Sequence, residues 1–291
     1  MTRDLEERHV LITGATSGLG LASARNLAGR GAHVILATRD PAKTEGVMAE
    51  LRAAPHASVS HVLLDLSSQA AVRDAAKRVL DRHDRLDVLM NNAGVIGVPF
   101  ARTVDGWESH FATNHLGHFS LTNLLLPLLL RTPGSRVVVV SSSMHKLARI
   151  GRDDLLWEKT RYQPWLAYAR SKLANLLFLR ELDRRLATRP STDTIAVGAH
   201  PGVTPTKPQD ATTRLGRAVM AVVGQPLEVG VLPQIHAATA DVAPGTYWGP
   251  SRWAEMKGPP GPAKPSRRAQ NDADARWLWE QSAELTGLGA L

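Results

Sequence analysis

The sequence predicts an α/β protein built on one doubly wound parallel sheet of about seven strands, with helices on both faces and a C-terminal extension. Three observations carry this. Short apolar runs alternate with helical stretches through the first half of the chain, the order that places a parallel sheet between two helix layers. A glycine-rich turn joins the first strand directly to the first helix. That half also holds no internal repeat, Gly/Ser linker or low-complexity tract, so a single dinucleotide-scale unit over 1–248, followed by an extension over 249–291, is the economical organisation.

Composition narrows the function classes. A 43% hydrophobic share, dominated by Ala, Val and Leu, is enough for a full core. The absence of cysteine excludes disulfides, thiolate nucleophiles and Cys-based zinc sites. Residues 1–10 are charged and lack the apolar stretch of a secretory signal. The longest apolar run, 124–130, is interrupted by Pro127 and falls far short of the roughly 20 residues that span a bilayer. A soluble, cytoplasmic protein is expected. The net charge of +8 is spread along the chain without a basic run interleaved with aromatics, so the reading is a basic surface mildly attractive to anions, with no nucleic-acid partner.

Taken in order, a strand over 9–13 runs into Gly14-Ala15-Thr16-Ser17-Gly18-Leu19-Gly20, and a helical pattern follows to about residue 30. Strand, glycine turn and helix in that order make a phosphate site: the backbone can approach a pyrophosphate, and the helix start offers unpaired N–H groups. The alternation continues with strand 33–37, helix 41–53, strand 59–65, helix 68–82 and strand 86–91. At the end of the second strand, Thr38 stands where an acid would hold the adenosine ribose, and Arg39 follows it. NADP(H) is therefore favoured and NAD(H) is possible; Asp40 argues for the latter unless it only caps the next helix.

A long helix is expected over 103–131, kinked at Pro127 and carrying Asn114. His110, His115 and His118 lie within it, yet their spacing matches no zinc helix, and they read as packing or surface histidines with no metal implied. The valine run 137–140 is a buried central strand that emerges at Ser141-Ser142-Ser143. Tyr168 and Lys172, four apart in a helical stretch, share one face, where an ammonium can favour the ionised phenol. A strand over 194–199 leads to His200-Pro201-Gly202-Val203-Thr204-Pro205-Thr206.

These motifs together (T-G-x-x-x-G-x-G, D-L, N-N-A-G, Y-x-x-x-K, P-G-x-x-x-T) resemble the short-chain dehydrogenase/reductase family, whose Rossmann-type fold the order of elements already suggests. The resemblance spans about His9 to Thr206. It implies a cofactor turn of Gly14, Ser17, Gly18, Leu19 and Gly20, an adenine contact at Asp65 and Leu66, and a rim of Asn92, Ala93 and Gly94. For Asn91 and Asn92 a bracing role is as good a reading as ligand contact. Pro201, Gly202 and Thr206 would face the nicotinamide amide. Asn114 would relay protons, Ser142 would bind the substrate oxygen, Tyr168 would be the general acid and Lys172 would tune it and hold the nicotinamide ribose. Ser142 is selected among the three serines by aligning His145 with the S-S-x-x-H form of retinol-dehydrogenase-like members, leaving Ser141 and Ser143 as structural neighbours.

The 25 residues between Ser142 and Tyr168 form an insert similar to that of the retinol-dehydrogenase and protochlorophyllide-reductase-like branch. Its Trp157, Tyr162 and Trp165 either line an apolar pocket or pin the loop. Residues 207–225, within a substrate loop of about 203–225, read as a mobile lid or as a surface loop. A helix over 226–239 and a strand over 245–248 follow. The proline cluster 259–265 is expected to wrap over the body without regular structure, ahead of a final helix over 272–285. The resemblance implies an NADP(H)-dependent oxidoreductase of a lipophilic carbonyl/alcohol pair; reduction of an activated C=C bond and a non-catalytic NADP(H) redox sensor are the alternatives. Pairing into a homodimer or homotetramer through the long helices 114–131 and 168–186 is a further implication.

Overall fold

The computed structural model describes residues 3–54, 57–189, 192–204 and 224–289. Its sheet has eight strands in the order β3-β2-β1-β4-β5-β6-β7-β8. They are β1 His9–Thr13, β2 His33–Thr38, β3 Ser58–Leu63, β4 Val88–Asn91, β5 Arg136–Val140, β6 Ile195–Ala199, β7 Tyr247–Arg252 and β8 Lys257–Pro262. All neighbours pair in parallel except β7 and β8. The strand order reverses between β1 and β4, and ligands of such sheets sit beyond the carboxyl ends of the strands at that reversal.

Alternate residues of each strand serve opposite layers, as a two-residue period requires. Leu11, Ile35, Leu89, Val137 and Val139 face α3 (Gln69–Arg82), α4 (Gly117–Arg131) and α5 (Pro164–Ala187). Val10, Ile12, Val34, Leu36, Val138 and Val140 face α1 (Gly18–Gly29), α2 (Pro41–Arg52) and α6 (Leu232–Thr239). Both faces of the inner strands β1, β2, β4, β5 and β6 are buried, which is why these read as continuous apolar runs. Among the described residues no helix is long and apolar enough to cross a membrane.

Three elements differ from expectation. The helix expected from 103 begins at Ser109, because the buried Glu108 carboxylate accepts the His110 and Phe111 N–H groups and caps it there. It then passes through a wide turn over Ala112–Leu116 before becoming α4, which runs through Pro127. The helix expected over 226–239 is divided into a single turn, Leu227–Gly230, and α6. The proline cluster does adopt regular structure: β8 pairs antiparallel with β7 through Trp248↔Pro262, Gly249↔Gly261 and Pro250↔Pro260. An outermost strand needs no N–H donors on its free side, so proline is tolerated there and discourages further pairing.

The last helix, α7 (Asp272–Thr286), is capped by Asn271 accepting from the Asp274 N–H and closed by Gly287 at φ 65°. Trp279 stacks on Phe178 of α5 and meets Phe119 of α4 edge-on, while Ser282 bonds His115 and the Thr286 carbonyl accepts from Arg73. Helix α7 thus lies within the chain on the α4 and α5 faces that the resemblance offers for subunit pairing.

Candidate active site

The first wall of the crevice is backbone. Gly14, at the end of β1, has φ +71°, a conformation that disfavours any side chain. At Gly20 a Cβ would collide with the Gly14 carbonyl and come within 2.7 Å of Asn92 Nδ2. Ser17 begins α1 without capping it through its side chain, so no side chain occupies the N–H groups of the first turn. Leu19 anchors the turn by packing beneath it. At the end of β2, Thr38 is buried and bonded to Thr44. Asp40 accepts from the Lys43 N–H at 3.2 Å as the cap of α2, and Arg39 stands exposed between them. The pyrophosphate of a nicotinamide dinucleotide fits this bare helix start.

Asp65 receives both the N–H and hydroxyl of Ser67, and Leu66 packs against Gly117. Asn91 and Asn92 act as braces: Asn91 Nδ2 donates to Thr122, and Asn92 Nδ2 donates to the Thr13 carbonyl at 2.8 Å. Ala93 donates its N–H to Thr13 Oγ1. A Cβ on Gly94 would fall 3.1 Å from Asn114 Oδ1 and 3.5 Å from Lys172 Nζ, so Gly94 forms the floor between them.

Tyr168 and Lys172 lie on α5, both buried, with Lys172 Nζ 5.8 Å from the phenol ring centroid and donating to the Val140 carbonyl at 3.2 Å. Ser142, just past β5, caps the short turn Ser143–Leu147 through its hydroxyl and lies close enough to Tyr168 to favour the ionised phenol. Ser141 instead donates to the Lys172 carbonyl, a purely internal contact. Asn114 sits in the wide turn, where each i→i+5 step opens the helix; its amide is taken up by Val95 and by Ser171 Oγ at 2.9 Å. Its carbonyl accepts from His118 Nδ1 at 3.0 Å and keeps a second lone pair.

Burial dominates the electrostatics. It raises the Tyr168 pKa, against a smaller lowering by the Ser142 hydrogen bond, and it brings Lys172 down to about 8. The expected lowering of the phenol by the ammonium is not among the effects acting on Tyr168 in the protein alone, and the phenol, raised by burial, is protonated at neutral pH.

The insert divides its aromatics between two tasks. Trp157 is buried under Arg170, whose guanidinium lies 4.0 Å from the ring centroid. Tyr162 donates to Glu108 at 2.8 Å and contacts His110, which in turn accepts from the Val98 N–H. These pin the loop. Trp165 is instead 61% exposed, edge-on to Tyr168 and packed against Gly97, so it lines the opening. Pro201 and Gly202 reach the same rim, held by Gln225 Nε2 on the Pro201 carbonyl and by Val203 N–H on the Met256 carbonyl. Thr206 and the loop 207–223 lie outside the described residues.

The model of the short chain dehydrogenase family matches residues 8–214. The chain belongs to that family. It is 36% identical to human retinol dehydrogenase 13 over 97% of its own length and 85% of that protein's, and 40% identical to mouse retinol dehydrogenase 12 over 96% and 86%. A crystal structure of an uncharacterized Mycobacterium paratuberculosis protein, 42% identical, superposes with a TM-score of 0.83 over 100% of this chain and 99% of that one. The Pseudomonas aeruginosa RhlG/NADP active-site complex is 26% identical, with a TM-score of 0.68 over 84% and 95%.

This short-chain dehydrogenase is thus an oxidoreductase of alcohol and carbonyl groups in the retinol-dehydrogenase-like branch. One residue of the site escapes the motifs. His118 is fully buried, neither surface nor simple packing: Nδ1 donates to the Asn114 carbonyl, so Nε2 accepts from Thr13 Oγ1 at 2.9 Å. Thr13 Oγ1 accepts in turn from the Asn92 and Ala93 N–H groups, which joins the cofactor floor to the turn that carries Asn114. Burial holds His118 neutral, with its pKa near 4. The one available signal was its position four residues after Asn114.

Proposed function

We propose that this dehydrogenase uses NADP(H) to interconvert a lipophilic aldehyde or ketone and its alcohol, a retinal/retinol-type pair being the leading candidate. The observation that carries the reading is the convergence of Tyr168, Lys172, Ser142 and Asn114, from three separate parts of the chain, around the Gly94 floor. NADP(H), when bound, supplies or accepts the hydride. In the reducing direction the protonated Tyr168 donates its proton to the carbonyl oxygen, and Ser142 hydrogen-bonds that oxygen as charge builds on it. Lys172 would hold the nicotinamide ribose and restore the phenol proton, with the free lone pair of the Asn114 carbonyl orienting the relay. Arg39 would hold the 2′-phosphate.

An apolar substrate is supported by Trp165, exposed at the opening beside Tyr168, and by the names of the relatives. The test is consumption of NADPH and NADH across retinal, other lipophilic aldehydes and ketones, with Arg39→Ala and Tyr168→Phe alongside. NADPH-selective turnover is expected, with Arg39→Ala raising the NADPH Kd about tenfold while leaving NADH unchanged. Equal use of the two cofactors by the wild-type protein would refute the assignment of Arg39.

A further inference from the structure

Ser142 owes its place to more than the end of β5. Its carbonyl accepts the His145 N–H at 3.1 Å and, more closely, His145 Nδ1 at 2.7 Å. The ring of His145 is completely buried, and its other nitrogen, Nε2, receives the Ser266 N–H at 3.1 Å. A backbone N–H can only donate, so Nε2 carries no proton and Nδ1 must. The C-terminal extension thereby sets the tautomer that bonds Ser142. Tyr247 stands edge-on to the imidazole at 6.0 Å and limits its rotation.

Two further contacts from the extension hold the same short turn. Glu255 pairs with Lys146 at 2.8 Å, and Arg268 donates to the Ala148 carbonyl at 2.8 Å. Ser266 is itself fixed, since its hydroxyl accepts the Ala269 N–H. Burial keeps the imidazole neutral, with a pKa near 4, as a donor–acceptor bridge requires.

We infer that His145 is a positioning residue through which the C-terminal extension, at Ser266, aims the Ser142 hydroxyl at the reacting oxygen. The inference rests on the reductase reading above. A serine displaced by about 1 Å can lower turnover by about 10²-fold without altering how the partners bind. A histidine that merely fills the core would, when replaced, lower thermal stability and leave turnover per folded molecule unchanged.

The experiment separates the two ring nitrogens. His145→Asn keeps an N–H near the place of Nδ1, whereas His145→Gln presents its amide near Nε2 and loses the bond to Ser142. Ser266→Pro removes the tail N–H, and Ser266→Ala retains it. Each full-length variant is titrated with NADPH by fluorescence, and kcat and KM for the best carbonyl substrate are referred to the NADPH-binding fraction. Expected are a fall in kcat of about tenfold or more in His145→Gln and Ser266→Pro, little change in KM or NADPH Kd, and recovery to within about threefold in His145→Asn and Ser266→Ala.

Normal kcat in both His145→Gln and Ser266→Pro would overturn the inference, as would an Asn variant as impaired as the Gln variant. Should His145→Gln fail to bind NADPH, the two Ser266 variants decide. Failure of the reductase reading shows separately, as a wild-type protein without carbonyl turnover or a Tyr168→Phe variant that retains it, and either removes this inference as well.

Discussion

The two rims of the crevice are held by different physics. On the cofactor rim the constraint is main-chain shape: Gly14 at positive φ, Gly20 against the Gly14 carbonyl, and a helix start left bare. On the substrate rim it is a set of side-chain bridges from distant parts of the chain: Glu108 with Tyr162, His145 with Ser266, and Glu255 with Lys146. A rim made of backbone suits one chemical group, such as the pyrophosphate proposed for it, whatever the rest of the ligand. A rim made of side chains can be altered one residue at a time, so substrate choice can change while the cofactor site stays the same. Trp253, Ala254 and Glu255 show what the second rim requires, for all three adopt left-handed backbone at the tip between β7 and β8, at about 1–2 kcal/mol each.

The sharpest contrast is at the pivot between the rims. Tyr168→Phe is expected to lower kcat by about 10²–10⁴-fold while NADPH titration stays near wild type, since in the proposed mechanism the phenol oxygen acts on the reacting group. Loss of binding in step with activity would show that the rims are not separable there. Gly20→Ala should do the reverse. Its methyl meets backbone that cannot yield, so destabilisation of about 1–3 kcal/mol in thermal unfolding and a marked loss of NADPH affinity are expected. Unchanged NADPH affinity would break the claim that the first rim is made of main-chain shape.

A smaller effect is expected at Tyr162→Phe. Removing its hydroxyl strips a donor from the buried Glu108 carboxylate, which four hydrogen bonds hold below its usual range despite burial. Loosening of the insert should cost about 1–2 kcal/mol and raise the substrate KM with NADPH affinity intact. A changed NADPH Kd with an unchanged KM would reverse the assignment.

The mildest perturbation is pH. Burial sets the Lys172 pKa near 8, below the ordinary lysine value, so the ammonium is lost as pH rises through that point, while Tyr168, raised by burial, keeps its proton. Reduction should therefore be level below about pH 7 and decline above about pH 8 in a kcat/KM profile. A profile flat to about pH 9.5 would remove the ammonium from the proton relay.

Much of the fold was legible because its contacts are close in sequence. β1, β2 and β5 fall within a residue of their expected ranges, for each is a short apolar run set off by a helix or turn. The i, i+4 spacing of Tyr168 and Lys172 put them on one buried face without knowledge of any other element. Composition failed at the proline cluster, where the tendency of proline to resist regular structure was overridden by pairing with β7. It also misjudged His118, whose burial depends on the layer of helix packed over it.

What the sequence determined alone is therefore the alternation of strand and helix, the glycine turn and the spacing of the reactive pair. Each follows from backbone sterics or helical period within a few residues. The tertiary structure alone decided that β8 extends the sheet, that Trp279 covers the α4 and α5 faces, and that Ser266 reaches His145 across 121 positions. Such contacts depend on which surfaces are left open once the sheet has formed, and no local pattern of residues encodes that.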